Sequence, residues 1–175
     1  MIELEQNLRK AVDSLTQLTR LNDLPAPETD DFYRNYYSLM LDYGQPMSKV
    51  GNCPDGFKGE PKDCFRNAGD VAMCNNRYLY CQGYGGSKKL GYFPVEHGWL
   101  YDTERRCVVE PTWPDSILDL QYYGIAFETE WARQRWIDVK YWILFHGKHG
   151  CPIEDMIAKP PAFVGHTVEC VFEVH

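Results

Sequence analysis

The segment between residues 78 and 110 constrains the fold more than any other part of the chain. It contains three runs rich in aromatic and β-branched residues, at 78–84, 90–101 and 107–110, a composition typical of β-strands. The linkers between these runs, Gly-Gly-Ser-Lys-Lys and Asp-Thr-Glu-Arg-Arg, are short and polar. Because tight turns can join antiparallel strands whereas parallel strands need long crossovers, the segment predicts an antiparallel meander.

Helical patterns lie on both sides of these strands. Residues 2–21 carry apolar side chains at three- and four-residue steps, and residues 31–42 form a second helical stretch. The Trp-rich residues 128–145 predict a C-terminal helix, while 122–127 and 167–174 predict two more strands. Helices followed by a sheet are typical of an α+β domain.

The length of 175 residues fits a single domain, 1–175. Within it we expect a helical N-terminal part over 1–44, a surface loop over 45–62, a core over 63–127, and a C-terminal helix and strand over 128–175. The loop is assigned because Gly, Pro, Asn, Asp and Lys dominate there without periodicity. Loops of this length in compact domains are commonly functional.

Charge and hydropathy exclude two classes of partner. The formal net charge is −7, and basic residues cluster only in short pairs such as Lys88-Lys89, so no cationic stripe exists to hold a phosphate backbone. No apolar run approaches the roughly 20 residues that cross a bilayer, and the first residues lack signal-peptide features. We therefore expect a cytoplasmic protein without nucleic-acid or membrane partners. The sequence leaves the oligomeric state open.

The cysteines favour free thiols over a disulfide framework, because their number is odd and no secretion signal precedes them. There are seven: Cys53, Cys64, Cys74, Cys81, Cys107, Cys151 and Cys170. A zinc site built from the first four with His97, His146 or His149 is the main chemical alternative, but the close cysteine pairs of structural zinc sites are missing. The sequence therefore predicts no metal and no cofactor.

Cys64 lies where a helix is predicted to begin. Residues 63–73 fit a short helix with Asp63 as a candidate N-cap, so Cys64 falls in the first turn. A helix N-terminus and a neighbouring imidazolium are the two devices that favour the reactive thiolate form of a cysteine. The alternative is structural, because free cysteine is among the most frequently buried residue types.

His97 and Glu110 lie on two successive predicted strands. His97 is seven residues before the turn centre at Glu104 and Glu110 six residues after it, which predicts approximate cross-strand partners with Cβ atoms within about 5.5 Å. A carboxylate beside an imidazole fixes its tautomer and stabilises its charged form. A plain cross-strand ion pair has the same spacing.

Taken together, these segments resemble the transglutaminase-like core. The run His97-Gly98-Trp99, followed by Val108-Val109-Glu110-Pro111-Thr112-Trp113, is similar to its His-x-Trp strand and Asp-Pro-Thr motif, with the cysteine upstream at a helix start. The chain also resembles uncharacterised phage and bacterial proteins that share Cys-Phe-Arg-Asn-Ala before such motifs. The resemblance covers residues 60–127.

The resemblance implies a papain-like α+β fold in which Cys64 is the nucleophile, His97 the base and Glu110 the residue that orients the base. It further implies acyl transfer, with hydrolysis of a protein, peptide or small-amide substrate as the expected outcome. Two features depart from the family: Glu110 stands where Asp is usual, and no Trp or Gln just upstream of Cys64 matches its second oxyanion donor. Candidate donors in the sequence are Gln45, Asn52 and Gln82.

One alternative function stays open. A chain that keeps this scaffold without activity would serve as a protein-binding module, for which twelve Tyr and five Trp residues are suitable. The run Gly85-Gly86-Ser87-Lys88 has some features of a phosphate loop, but it lacks the full motif between a strand and a helix. We interpret it as a hairpin turn.

Overall fold

The structure, a computed structural model, describes residues 2–21, 40–47 and 50–139. They form a mixed α+β arrangement of helices and a six-stranded, mostly antiparallel sheet. The helices are α1 (Glu3–Leu21), α2 (Cys64–Cys74) and α3 (Thr129–Val139), with a short 3-10 helix at Lys88–Leu90 and a helical segment at 40–43. The strands are β1 (Gln45–Met47), β2 (Val50–Gly51), β3 (Tyr78–Ser87), β4 (Val95–Asp102), β5 (Cys107–Val109) and β6 (Leu120–Ala126).

The strand order across the sheet is β1-β6-β3-β4-β5-β2. Strands β3, β4 and β5 follow one another as antiparallel neighbours, as the turn-rich sequence predicted. Strand β6 returns to the other side of β3, and β1 pairs with β6 at that edge. At the opposite edge β2 runs parallel to β5, so the sheet is more than a simple meander.

One face of the sheet holds the main hydrophobic core. Leu4 and Leu8 from α1, Ala68 from α2 and Ala132 from α3 are buried in a single cluster with the strands. Burial of apolar surface contributes on the order of 25 cal/mol per Å², so this shared face is what holds the helices to the sheet. Among the side chains described in α1, the apolar stripe is thus core packing through Leu4 and Leu8.

The opposite face carries a second, smaller cluster. Alternate residues of a strand point to opposite faces, so Trp99 and Tyr101 on β4 lie on this face together with Cys81 and Tyr122. Trp113, in the loop after β5, packs against the same cluster. His97 has the same parity as Trp99, which places its side chain on this aromatic face.

The prediction of a loop throughout 45–62 is wrong at its start. Residues Gln45–Met47 and Val50–Gly51 form β1 and β2. These strands are only three and two residues long, and each is formed by pairing with a distant partner, β6 or β5. Local composition cannot indicate strands of this kind, because pairing across the fold overrides propensity.

The predicted hairpin turn at Gly85-Gly86-Ser87 is also wrong. These residues complete β3, where each pairs with a residue of β6, and the connection to β4 runs through residues 88–94. Three small residues weaken the strand signal, so the sequence reads as a turn. The strand expected from residue 90 therefore begins at Val95.

Several predictions lie wholly or partly outside the described residues. Of the helix expected at 31–42, the structure describes a helical segment at 40–43, and of the helix at 128–145 it describes Thr129–Val139. The strand at 167–174, together with His146 and His149, falls outside the described ranges. Within those ranges, no helix combines the length and apolar content needed to cross a bilayer.

Candidate active site

Helix α2 begins at Cys64, so the thiol lies in its first turn as predicted. Asp63 occupies the predicted N-cap position, but its side chain makes no capping hydrogen bond with the helix. The Cys64 side chain is half-buried, between the interior and solvent. The first backbone N–H groups of a helix have no intrahelical acceptor, and the helix dipole favours negative charge near them.

Gly98 allows this helix start to approach β4 closely. A Cβ atom at residue 98 would lie 2.9 Å from both Cα and Cδ1 of Phe65 and 3.2 Å from the carbonyl oxygen of Cys64. These separations are shorter than ordinary carbon contacts of about 3.5–4.0 Å. The glycine of His97-Gly98-Trp99 therefore sets the distance between the cysteine-bearing turn and the histidine-bearing strand.

His97 and Glu110 meet, although not in the predicted register. Strands β4 and β5 pair Leu100 with Val109 and Asp102 with Cys107, so Glu110, just after β5, is offset by two residues from direct opposition to His97. The turn holds four residues, and its centre lies later than Glu104. An offset of two preserves the face, and the Glu110 Oε2 atom lies 2.8 Å from His97 Nε2.

The turn between β4 and β5 is fixed by Asp102. The fully buried Asp102 accepts hydrogen bonds from the backbone N–H groups of Glu104 and Arg105, both at 3.0 Å. It also forms an ion pair with Arg77 at 2.7 Å, and the Arg77 guanidinium and these hydrogen bonds outweigh burial and hold the pKa of Asp102 below its usual value. The register that brings His97 to Glu110 therefore depends on this buried carboxylate.

Both oxygens of the Glu110 carboxylate are hydrogen-bonded. Oε1 accepts from the backbone N–H groups of Thr112 at 2.7 Å and Trp113 at 2.8 Å. Oε2 accepts from the Tyr122 hydroxyl at 2.6 Å and faces His97. The side chain is only 4% exposed, so this is a buried carboxylate with four polar partners. Buried charges are tolerated when they are paired and hydrogen-bonded in this way.

His97 lies between the thiol and the carboxylate. His97 is 1% exposed, its Nε2 atom faces Glu110, and the Cys64 thiol lies close enough to help raise the pKa of His97. Since Nε2 is engaged by Glu110, Nδ1 is the nitrogen left for the thiol. The structure therefore brings together the side chains of Cys64, His97 and Glu110.

Electrostatics favour a charged His97. Burial opposes the charged imidazolium, but the negative charge of Glu110 and hydrogen bonds with Cys64 and Glu110 outweigh it and raise the pKa of His97 from 6.5 to about 9. Burial also acts on Glu110 by raising its pKa. The charge of His97 and hydrogen bonds from His97, Tyr122 and Trp113 outweigh that effect, so the pKa of Glu110 lies below its usual value. At neutral pH the two groups form a buried ion pair.

Trp113 covers the imidazole. Its ring stacks on His97 with centroids 4.0 Å apart and planes inclined by 22°. Gly85 provides the space for this arrangement, because a Cβ atom there would lie 2.7 Å from Cη2 of Trp113. The indole shields one face of the imidazole from water, which strengthens the electrostatic interactions around His97.

Residues on both sides of Cys64 form hydrogen bonds with the turn that carries Glu110. Lys58 Nζ donates to the carbonyl oxygens of Glu110 at 2.9 Å and Trp113 at 2.7 Å. Asn67, on α2, donates from Nδ2 to Thr112 Oγ1 at 2.9 Å. These contacts connect the residues on both sides of Cys64 directly to the turn that carries Glu110.

A cleft of about 380 Å³ adjoins Glu110. Its walls include Glu110, Trp113 and Cys53, together with exposed Leu118. Burial raises the pKa of the Cys53 thiol, with smaller effects from neighbouring charges. Among the described residues that line the cleft, neither Cys64 nor His97 is present, so the cleft borders the carboxylate and not the thiol.

The three candidate oxyanion donors lie in different places. Gln82 is buried on β3 opposite Gly98, on the face where the first turn of α2 packs. Gln45 is exposed on β1, which β6 and β3 separate from β4. Asn52 is exposed and lines the cleft beside Glu110. Of the three, only Gln82 pairs across the sheet with Gly98, the residue that lies close to the Cys64 backbone.

Sequence reasoning missed Tyr122 and Lys58. Tyr122 was assigned only to a strand, and its contact with Glu110 follows from the position of β6 beside β3, for which the sequence carries no spacing signal. Lys58 lies in a segment without periodicity, where a single lysine does not stand out. Trp113 was part of a recognised motif, but its stacking on His97 was not anticipated.

Within residues 2–21, 40–47 and 50–139, no three His, Cys, Asp or Glu side chains are arranged to hold a metal ion.

Comparison of the chain with models of known protein families, with curated proteins and with solved structures gives no match in any of the three.

Proposed function

We propose that this protein is a cysteine-dependent acyl-transfer enzyme with a transglutaminase-like, papain-like catalytic core. In this proposal Cys64 is the nucleophile, His97 the general base and acid, and Glu110 the residue that orients His97. The observation that carries it is the position of His97, buried between a thiol close enough to help raise its pKa and a carboxylate at 2.8 Å. Nucleophile, base and orienting group in this order form the general arrangement for covalent acyl transfer.

The charge state of His97 supports the first chemical step. With the pKa of His97 raised to about 9, an imidazolium lies beside Cys64 at neutral pH, and a neighbouring cation is one of the features that activate nucleophilic cysteines. The thiolate of Cys64 attacks the carbonyl carbon of an amide, and a carbon–sulfur bond forms as the carbonyl electrons move to oxygen. The resulting oxyanion needs hydrogen-bond donors close to Cys64.

We assign the oxyanion donors to the Cys64 backbone N–H and the Gln82 side chain. Cys64 is the first residue of α2, where backbone N–H groups point towards the helix end. Gln82 is buried on the same face of the sheet, opposite Gly98. Its Oε1 atom accepts a hydrogen bond from the Tyr80 hydroxyl at 3.4 Å.

Collapse of the tetrahedral intermediate completes acylation. The carbonyl re-forms, the carbon–nitrogen bond breaks, and the proton on His97 passes to the leaving amine. Neutral His97 then takes a proton from water, which attacks the thioester and releases a carboxylic acid and the Cys64 thiol. Hydrolysis of an amide or isopeptide bond is the proposed outcome, since water is always available as acceptor.

A chromogenic assay tests this proposal. Purified protein is incubated with short acyl p-nitroanilide and p-nitrophenyl ester substrates, while intact mass measurement follows acylation of the chain. We expect wild type to release chromophore and to carry a transient acyl group on Cys64. Cys64→Ala should abolish both, whereas Cys74→Ala should retain both, because Cys74 is exposed at the far end of α2.

The same experiment separates an enzyme from an inactive binding module. A binding module predicts no acyl adduct and a Cys64 thiol that reacts with iodoacetamide no faster than exposed Cys74. Absence of an acyl adduct across the ester panel, with equal alkylation rates for the two thiols, would refute the proposed function.

A further inference from the structure

The Tyr122 side chain reaches Glu110 over one face of the sheet, where Gly85 leaves space because it has no side chain. Tyr122 lies on β6 opposite Gly85 of β3, which in turn lies opposite Val95 of β4. A Cβ atom at Gly85 would lie 3.5 Å from Cδ1 of Tyr122 and 2.7 Å from Cη2 of Trp113. Both rings therefore lie over β3 on the face that carries His97, and a side chain at residue 85 would displace the Trp113 ring.

The Tyr122 hydroxyl and the imidazole share one oxygen. Tyr122 donates to Glu110 Oε2 at 2.6 Å, and His97 Nε2 lies 2.8 Å from the same atom. The Tyr122 side chain is fully buried, so water does not compete for this contact. The other carboxylate oxygen is occupied by two backbone N–H groups, which prevents the carboxylate from rotating.

We infer that Tyr122 is a positioning residue of this site, which aims Glu110 Oε2 at His97 and limits how strongly that carboxylate attracts the proton of the imidazole. This inference rests on the proposed function, in which His97 must both accept a proton and release it. A second donor on Oε2 takes up part of the negative charge that Nε2–H would otherwise meet. An imidazolium bound too tightly by its carboxylate would be a poor acid for the leaving amine.

The surroundings are consistent with a donor that never ionises under working conditions. Burial and the neighbouring charge of Glu110 raise the pKa of Tyr122 well above 10, so its hydroxyl remains a donor. Among the described residues, the other titratable or charged groups near this pair include Cys64 on α2, Cys53 and Lys58 before it, and Asp115 after Trp113. Lys58 contacts the backbone oxygen of Glu110 and not its carboxylate.

The inference is tested by titrating His97 directly. NMR spectra of protein with 15N-labelled histidine are recorded against pH in a Cys64→Ala background, with and without Tyr122→Phe. We expect removal of the hydroxyl to raise the midpoint of the His97 titration by roughly half a pH unit or more, a threefold or larger change in proton affinity. An unchanged or lowered midpoint would overturn the inference.

Tyr123→Phe is the matched control. Tyr123 is the next residue on β6, equally buried but on the face of the helices, where its hydroxyl interacts with Arg9 and Glu5. This variant also loses a buried tyrosine hydroxyl, yet it should leave the His97 midpoint unchanged. A similar shift in both variants would mean that the hydroxyl acts only through general stability, and would contradict the positioning role.

A second substitution covers the case in which Tyr122→Phe does not fold. Difluorotyrosine at position 122 keeps the ring and the hydrogen bond but makes the hydroxyl a stronger donor. We expect the His97 midpoint to move downwards, opposite to Tyr122→Phe, and an upward shift or no shift would refute the inference. Because these titrations need no turnover, failure of the chromogenic assay would sink the proposed function without deciding the role of Tyr122.

Discussion

Substitution of Gly98 by alanine should separate the cysteine from the histidine without removing either. The new methyl carbon would lie 2.9 Å from two Phe65 atoms and 3.2 Å from the Cys64 carbonyl oxygen. Carbon atoms normally stay about 3.5–4.0 Å apart, so the first turn of α2 must move away from β4 by about 0.6–1.1 Å. Two of the three crowded atoms, Cα of Phe65 and the carbonyl oxygen of Cys64, are backbone, so rotation of a side chain cannot relieve the clash.

Two effects of Gly98→Ala can be estimated from this displacement. Overpacking of this kind costs about 1–3 kcal/mol of unfolding free energy. Misplacement of reacting groups by about 1 Å can cost on the order of 10²-fold in rate. We therefore expect alkylation of Cys64 by iodoacetamide at neutral pH to slow at least tenfold, measured by mass spectrometry of the labelled peptide.

Gly86→Ala serves as the control for crowding alone. A Cβ atom at Gly86 would lie 2.9 Å from Cδ1 of Leu4 and 3.2 Å from Cα of Tyr92, far along β3 from the cysteine. This variant should lose stability in denaturant unfolding while Cys64 keeps its wild-type alkylation rate. The reasoning is refuted if Gly98→Ala alkylates like wild type, or if Gly86→Ala slows the reaction equally.

Two further predictions concern pH and the segment before the helix. Because the pKa of His97 is raised from 6.5 to about 9, its contribution to stability is complete below about pH 6.5 and is lost as pH rises through 9. Thermal unfolding of wild type should show this loss of stability. An equal loss of stability between pH 7 and 10 in a His97→Asn variant would contradict the prediction. Lys58→Met removes two hydrogen bonds to the turn at Glu110 and Trp113, and should lower both the unfolding free energy, by about 1–2 kcal/mol, and the alkylation rate of Cys64. Lys10→Met on α1 should change neither, and equal effects from the two lysines would refute a specific role for Lys58.

Local sequence patterns predicted the elements whose residues carry a clear helical or strand signal. The apolar stripe of residues 2–21 indicated α1, and the composition of 63–73 indicated a helix with Cys64 in its first turn. Aromatic and β-branched runs indicated the strands around His97. In each case the local periodicity or composition of the chain carries the information.

Patterns that depend on distant pairing were not predictable. Strands β1 and β2 exist only because β6 and β5 offer them partners, and the insertion of β3 between β6 and β4 leaves no trace in local spacing. The contact of Tyr122 with Glu110 follows from that order. The offset between His97 and Glu110 was missed because Asp102 fixes a four-residue turn.

The most direct test of the central proposal is the pH dependence of Cys64 alkylation in wild type and in His97→Ala. Exposed Cys74 in the same molecule provides an internal reference for an ordinary thiol. We expect wild-type Cys64 to react at least tenfold faster than Cys74 at about pH 6, where an ordinary thiol is almost entirely protonated. In His97→Ala that advantage should disappear, whereas a Cys64 that reacts like Cys74 in wild type, or keeps its advantage without His97, would contradict the thiolate and imidazolium pair.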